Sequence, residues 1–284
     1  MEILSNENGW LRIKTDGFSV FKTFDCGQCF RFDPVEDANF DHRVDGVAFG
    51  RSVSFAEKEG DLFVRSDEED FNNIWKNYLQ LEVDYKAIDK KIVESLPLSD
   101  QSHMRLAVET GSGIRILRQD PWEALCSFIV SQNNNIPRIK KIISAMSEKY
   151  GENIGSVYTF PTAKSLFEAG EAEIFALRTG FRAKYIFDAA KKVHTGELDL
   201  NKVASAATYE EAAEMLMSVS GVGPKVAACT LLFGFGRTDA FPIDVWIKKV
   251  IEKRFPNGLD KSVFGNEAGI AQQYLFYYER YIEG

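Results

Sequence analysis

Lys225 and Asp244 are the two residues of this chain whose types and settings could carry covalent chemistry. A lysine desolvated in a cleft loses its proton more readily and becomes an amine nucleophile, and a carboxylate beside it can hold or accept protons. Taken singly, a solvated lysine and a helix-capping aspartate are the plainer readings, since Asp is ordinary at a helix start. What shifts the balance is the stretch around the lysine, Val219-Ser220-Gly221-Val222-Gly223-Pro224-Lys225-Val226-Ala227-Ala228-Cys229, followed by Phe241-Pro242-Ile243-Asp244. A helical run, Tyr209 to Met217, precedes the glycines and a second, Pro224 to Phe233, follows, so the spacing predicts two helices joined by a tight hairpin. Such a turn asks for residues without Cβ atoms, because its backbone needs positive φ and close approach. Pro224 opens the second helix, where a missing N–H costs nothing. The unpaired amides of the turn and of the first helical turn then form a seat for a phosphate oxygen. The arrangement predicts a nucleic-acid backbone clamp with an amine at its mouth.

These residues need a scaffold, and the chain is long enough to supply one. It has 284 residues, 45% of them apolar, which predicts a substantial core and about two domains. The net charge of −8 argues on its face against a nucleic-acid partner, so its distribution matters. Residues 1–100 hold 21 acidic and 12 basic residues, leaving 21 and 22 for the remainder, so the acidity belongs to the front of the chain. Lys225 to Arg254 has an excess of bases, and Arg138, Lys140 and Lys141 form another small cluster.

From Gly17 to Ser66, short stretches such as Phe18-Ser19-Val20-Phe21, Val47-Ala48-Phe49 and Leu62-Phe63-Val64 are separated by Asp, Asn and Gly, which predicts an antiparallel sheet. Ser66-Asp67-Glu68-Glu69 reads as a capping box, with Phe71, Ile74, Trp75, Tyr78 and Leu79 at helical spacing behind it as core. From about residue 100 the pattern is helical. The expected fold class is α+β: an antiparallel β-rich domain over 1–117, then an all-helical domain of two lobes over 118–284, with the hairpin at about 209–233.

No apolar run approaches a membrane span, and Met1-Glu2-Ile3-Leu4-Ser5 lacks the form of a signal peptide, so the expected location is cytoplasmic, at the nucleoid if the cell is prokaryotic, with no membrane partner. Cys26 and Cys29 have the spacing of a zinc or redox pair, but there is no second pair and His42, His103 and His194 are scattered. They are read as unpaired thiols. Four clustered cysteines after Asp244 are also lacking, which disfavours an iron–sulfur cluster.

The hairpin with its lysine and the Pro-x-Asp beyond it resemble the helix-hairpin-helix DNA glycosylase superfamily. Further stretches resemble one branch of it, the 8-oxoguanine DNA glycosylase/AP lyase family of eukaryotic type. These are Cys26-Gly27-Gln28-Cys29-Phe30-Arg31-Phe32, Arg118-Gln119-Asp120-Pro121-Trp122-Glu123, Ser131-Gln132-Asn133-Asn134-Asn135-Ile136-Pro137-Arg138-Ile139, Thr179-Gly180-Phe181-Arg182-Ala183-Lys184-Tyr185 and Ala271-Gln272-Gln273-Tyr274-Leu275-Phe276. They occur in family order and run nearly from end to end.

The resemblance implies an enzyme that extrudes an 8-oxoguanine nucleotide from duplex DNA and reads the flipped base in a pocket. Lys225 would be the Schiff-base nucleophile and Asp244 the catalytic carboxylate. Phe276 and Cys229 would sandwich the purine, Gln272 would bond its Watson–Crick edge, and Gly27 would offer its carbonyl to N7–H. In Gly27 the missing side chain is read as permitting that close approach. Asn133 would fill the vacated stack, Phe181 would wedge the duplex, and Arg138 would bond the orphaned cytosine, with Arg182, Gly221, Gly223 and Trp246 also on the DNA side. The resemblance requires no organic cofactor; it implies a monovalent or similar ion held by backbone carbonyls of Met217, Val219 and Val222, and a monomer acting on duplex DNA with 8-oxoguanine opposite cytosine.

The chain departs from the family at Trp246, where a histidine usually grips the flipped nucleotide's phosphate, at Phe181, where tyrosine is common, and at Cys29, where serine is common. Two alternatives stand beside this reading. Another base-excision glycosylase, of alkylpurine type, would normally lack the lysine, and a non-catalytic helix-hairpin-helix DNA-binding protein would need neither Asp244 nor a base pocket.

Overall fold

The computed structural model describes residues 1–282. Six strands, β1 (Glu2–Glu7), β2 (Trp10–Lys14), β3 (Phe32–Pro34), β4 (His42–Ala48), β5 (Arg51–Lys58) and β6 (Asp61–Val64), form one antiparallel sheet in the order β1-β2-β6-β5-β4-β3. The alternation of Leu11 and Ile13 with polar neighbours fixes the register of β2, which pairs Leu11 with Val64 and Ile13 with Leu62. A slip of one residue would turn both buried side chains to solvent. Phe71, Trp75, Tyr78 and Leu79 cover this face from the helical segment behind β6, as their spacing predicts.

Three local expectations are corrected. The sheet starts at Glu2 and not at Gly17, since β1 and β2 extend it beyond β6. Phe18-Ser19-Val20-Phe21 is no strand: it opens the helix Val20–Phe24, with Ser19 as the N-cap accepting the Lys22 amide at 3.4 Å and Glu57 accepting the Val20 amide at 2.9 Å. The cap of the next helix is Asp67 and not Ser66. Asp67 accepts the Asp70 amide at 2.7 Å, while the Ser66 hydroxyl donates to the Asp67 carbonyl. Aspartate serves as an N-cap as well as serine does, so the cap falls one residue later.

The second core is helical, and three of its helices are enclosed nearly all round. In Pro121–Ser131 every residue from Ala124 to Val130 is buried, in Pro224–Gly234 every residue from Val226 onward, and in Ala268–Tyr281 every residue from Ala268 to Glu279. A helix apolar on all sides is a core helix. Close approach is built in: a Cβ on Gly234 would lie 2.8 Å from the Ala124 Cβ, and one on Gly269 2.3 Å from Leu232. The helices Tyr85–Glu94 and Gln101–Gly111 belong to this core; the second packs on Ala268–Tyr281 and the first on Gln101–Gly111, with Asp89 accepting the Tyr274 hydroxyl at 2.7 Å, whereas Leu117 joins the sheet core. Cys26 and Phe30, from the loop between sheet strands, reach into the helical core. The two cores thus interleave, and the Cys26–Phe30 loop is pinned between them. Among the described residues no helix is long and apolar enough to cross a membrane.

Candidate active site

The hairpin forms as its spacing predicts, but its two glycines serve different ends. Gly221 has φ +76°, and a Cβ there would sit 2.4 Å from the Tyr185 ring, so both conformation and space demand glycine. Gly223 has φ −102°, an extended conformation any residue adopts, and no protein atom lies within 4 Å of where its Cβ would be. The expectation of positive φ therefore fails at Gly223. Its open side is the outward one, where a ligand can approach the backbone. Gly223 is the N-cap of Pro224–Gly234 and has no side chain to cover the first-turn amides. The hairpin is gripped from one face of the helix Ala183–Thr195: Tyr185 packs under Gly221, Asp188 accepts the Ser220 amide at 2.7 Å, and Lys192 donates to the Ser218 carbonyl.

The second hairpin helix aims Lys225 and Cys229 into a cavity of about 60 Å³. Asp244, Gln272 and Phe276 line the same cavity, as do Gly27, Cys26, Phe128 and Gln273. Lys225 Nζ lies 5.8 Å from the centre of the Phe128 ring. Burial raises the Cys229 thiol above its ordinary pKa; Lys225, by its charge and a hydrogen bond, pulls it down, and Asp244 pushes it up. All three groups therefore act on one small volume.

Asp244 is a helix cap that also faces the cavity. Its Oδ1 accepts the amides of Trp246 at 3.0 Å and Ile247 at 2.9 Å as N-cap of Val245–Arg254, while the residue also lines the cavity. The cap fixes the carboxylate in place, which is what a group meant to meet a developing charge requires.

Gln272 is 4% exposed, and its Oε1 has no hydrogen-bond partner. A buried acceptor left unmade costs about 1–3 kcal/mol, so an unpaired oxygen in a cavity wall is suited to a donor brought by a ligand.

Opposite stands the Cys26-Gly27 turn. Gly27 has φ +75°, and a Cβ there would be 3.6 Å from Arg280 Nη1, 3.7 Å from Ile136 and 3.9 Å from Phe276, ordinary contacts all. Within the protein, conformation and not crowding is what favours glycine here. Gln28, fully buried, staples the turn by donating to the carbonyls of Thr23 and Arg115, both at 2.8 Å, and accepting the Leu117 amide at 2.9 Å. Gln119 donates to the Gln28 carbonyl at 2.7 Å, and Gln273 to that of Cys26 at 2.9 Å. Cys26 and Cys29 are free thiols, and burial pushes Cys26 up to about 12, so neither has the character of a redox nucleophile.

Beside the cavity lies an exposed patch. Asn135 caps the helix Ile136–Tyr150, whose first turn carries Arg138 to the surface and Ile136 to the Gly27 turn. Arg138 Nη2 reaches the Arg178 carbonyl at 3.4 Å. Asn133 and Arg178 are left-handed, with φ of 47° and 63°, a conformation Asn tolerates and Arg adopts only under constraint. Phe181 is 49% exposed, with its ring 6.0 Å from that of Tyr185.

Arg182 requires correction. Placed on the DNA side by the sequence, it is 3% exposed, and its guanidinium donates to the carbonyls of Gln132, Asn133 and Thr179. Its donors are committed to holding the Asn133 loop against the Phe181 segment. Trp246 is half-buried and carries the Lys249 ammonium 4.4 Å from its ring, so a cation stands over the residue that itself has no charge.

Sequence reasoning missed Phe128, Gln273, Tyr185 and Arg280, whose guanidinium lies 5.5 Å from the Phe276 ring. Phe128 sits in an apolar run where a cavity wall is indistinguishable from core. Gln273 had one available signal, a second glutamine beside Gln272 in an otherwise apolar helix.

Comparison with known proteins adds to this geometry. Residues 10–125 match the family model of the 8-oxoguanine DNA glycosylase N-terminal domain, and residues 126–261 that of the HhH-GPD superfamily of base excision DNA repair proteins. The chain is 29% identical to the N-glycosylase/DNA lyase of Saccharomyces cerevisiae, over 91% of this chain and 74% of that one. The structure of MBOgg1 in complex with a low-affinity DNA ligand superposes with a TM-score of 0.88 at 39% identity, covering both chains completely. The Clostridium acetobutylicum 8-oxoguanine glycosylase/lyase, in complex with duplex DNA containing cytosine opposite 8-oxoguanine, gives 0.86 at 38% identity over 98% of each chain.

Proposed function

The chain belongs to the 8-oxoguanine DNA glycosylase family of the helix-hairpin-helix superfamily, and on that premise we propose how its residues perform the reaction. It is a bifunctional glycosylase/lyase that excises 8-oxoguanine from duplex DNA and cleaves the abasic strand. The nucleophile is Lys225. Its neutral amine attacks C1′ of the deoxyribose, the bond from C1′ to N9 breaks, and the base departs with its electron pair and takes up a proton. Asp244 stabilises the positive charge developing on the sugar. Loss of the amine proton and opening of the ring leave a Schiff base, from which removal of a C2′ proton expels the 3′-phosphate by β-elimination.

One observation carries this reading: Lys225 and the capped Asp244 line the same cavity as the unpaired Gln272 oxygen and the left-handed Gly27 turn. Gln272 Oε1 takes the donors of the purine's Watson–Crick edge, and Phe276 and Cys229 flank its faces. The Gly27 carbonyl accepts N7–H, which 8-oxoguanine has and guanine lacks. On the duplex side, Asn133 and Phe181 occupy the gap and Arg138 bonds the orphaned cytosine. The backbone around Gly223 seats a phosphate, with the Lys249 cation over Trp246 supplying the charge that Trp246 lacks.

The carbonyls of Met217, Val219 and Val222 hold a monovalent cation in this reading; Val219 already accepts the Val222 amide at 3.0 Å and keeps a second lone pair. The enzyme acts as a cytoplasmic monomer. Duplexes carrying 8-oxoguanine, 3-methyladenine or uracil opposite cytosine test the substrate assignment: release of 8-oxoguanine alone is expected, and preferential release of 3-methyladenine would contradict it.

A further inference from the structure

Gln273 is buried, 3% exposed, and its Nε2 donates to the Cys26 carbonyl at 2.9 Å, across 247 positions of sequence. That carbonyl and the Gly27 amide belong to one peptide plane, so the bond fixes the plane entering Gly27. On the far side, Gln119 fixes the Gln28 carbonyl and the Gln28 side chain is bonded at both ends. Between the two anchors stands a glycine, at φ +75°, the residue least able to hold its own conformation. Without an anchor on the Cys26 side, the Gly27 carbonyl is free to swing.

The same helix presents Gln272, with its unpaired Oε1, one residue earlier. Successive residues of Ala268–Tyr281 thus carry an open acceptor and the anchor of the turn across from it. We infer that Gln273 is a positioning residue for lesion specificity: it aims the Gly27 carbonyl at the N7–H of an oxidised purine and couples that carbonyl to the helix bearing Gln272. The inference rests on the proposed reading that the Gly27 turn faces the flipped base. If Gln273 were mere packing, a side chain of equal size would serve. If it aims a carbonyl, the donor itself is required, and only steps that read a base depend on it.

Single-turnover excision from an 8-oxoguanine duplex and borohydride trapping on a preformed abasic duplex separate these roles. Gln273→Met keeps the volume and removes the donor. Loss of one hydrogen bond predicts excision reduced about tenfold, with trapping on the abasic duplex held within about twofold. Gln273→Glu supplies a second readout. Ionised, it repels the Cys26 carbonyl; protonated, it donates to it, and burial favours the protonated form. Its excision rate relative to wild type should therefore recover as pH falls from about 8 to about 5.5. Equal loss of excision and abasic trapping in Gln273→Met, unchanged excision in that variant, or excision by Gln273→Glu depressed equally across that pH range would overturn the inference. A wild-type enzyme that binds lesion and guanine duplexes alike would overturn this inference and the Gly27 reading beneath it, and abasic trapping in the same preparation would show the nucleophile intact.

Discussion

The cavity and the exposed patch beside it are built in opposite ways. Lys225, Cys229, Gln272 and Phe276 project from helices buried on nearly every side, and the loop facing them is stapled by three glutamines. Asn133, Arg138 and Phe181 stand on loops and a helix start, open to solvent, with left-handed residues at Asn133 and Arg178. On the proposed reading, the difference is a division of labour. Groups that meet developing charge must be fixed before the substrate arrives. Groups that take the place of an extruded nucleotide must be reachable from outside, so they cannot be buried.

The comparison predicts losses of different kind and size. Among changes that leave the Lys225 amine in place, the largest loss is expected for Asp244→Asn. Asn caps a helix about as well as Asp, so stability should barely change while the negative charge is lost. Excision should fall by roughly a hundredfold to a thousandfold, the cost of removing one electrostatic stabiliser. Retained activity in this variant would mean that Asp244 is only a cap.

On the patch, Arg138→Ala should leave excision opposite cytosine active but narrow the preference for cytosine over adenine by about one to two powers of ten, the worth of a good bidentate contact. Comparing rates on the two duplexes checks it; an unchanged ratio would make Arg138 a surface residue.

Arg182 sharpens the comparison from within, because it lies in the patch sequence but is built like the cavity. Arg182→Ala leaves the carbonyls of Gln132, Asn133 and Thr179 without their donor and should cost about 1–3 kcal/mol of stability. Chemical denaturation measures it, and Arg138→Ala in parallel should show little loss.

Much of this site was legible in the sequence and some of it was not, for identifiable reasons. The hairpin, its lysine and the capping aspartate are close in sequence, and glycine, proline and aspartate each have a local conformational reason to be where they are. Gly27 was singled out for the approach a ligand would need, and its left-handed conformation is a second reason that only the structure shows, because φ is not written in the residue's neighbours. Arg182 was misplaced because burial of an arginine depends on carbonyls 49 and 50 positions away. The role of Gln273 was missed for the same reason, with its partner 247 positions off. Phe18 to Phe21 read as a strand because two aromatics and a valine suit a sheet, and the Ser19 cap decided otherwise.

A pH-dependent effect belongs to the seam between the two cores. Glu123 lies there mostly covered, beside Arg31 at 3.5 Å, and desolvation, partly offset by that guanidinium, lifts its pKa to about 7. The folded state thus holds a proton that the unfolded chain, with a carboxyl near the usual ~4.3, has released. Its contribution to stability is full below that value and is lost as pH rises through about 7. Glu123→Gln should flatten this decline. Stability measured between about pH 5 and about pH 7 should fall less steeply in the variant, and identical slopes would show that the proton is not held.

The central claim, that Lys225 is the nucleophile, is tested most directly by borohydride reduction during turnover on an 8-oxoguanine duplex. The account predicts a covalent protein–DNA adduct in the wild type and none in Lys225→Gln, which should still bind the duplex through the exposed patch and the hairpin backbone. An adduct of undiminished yield in Lys225→Gln would contradict it.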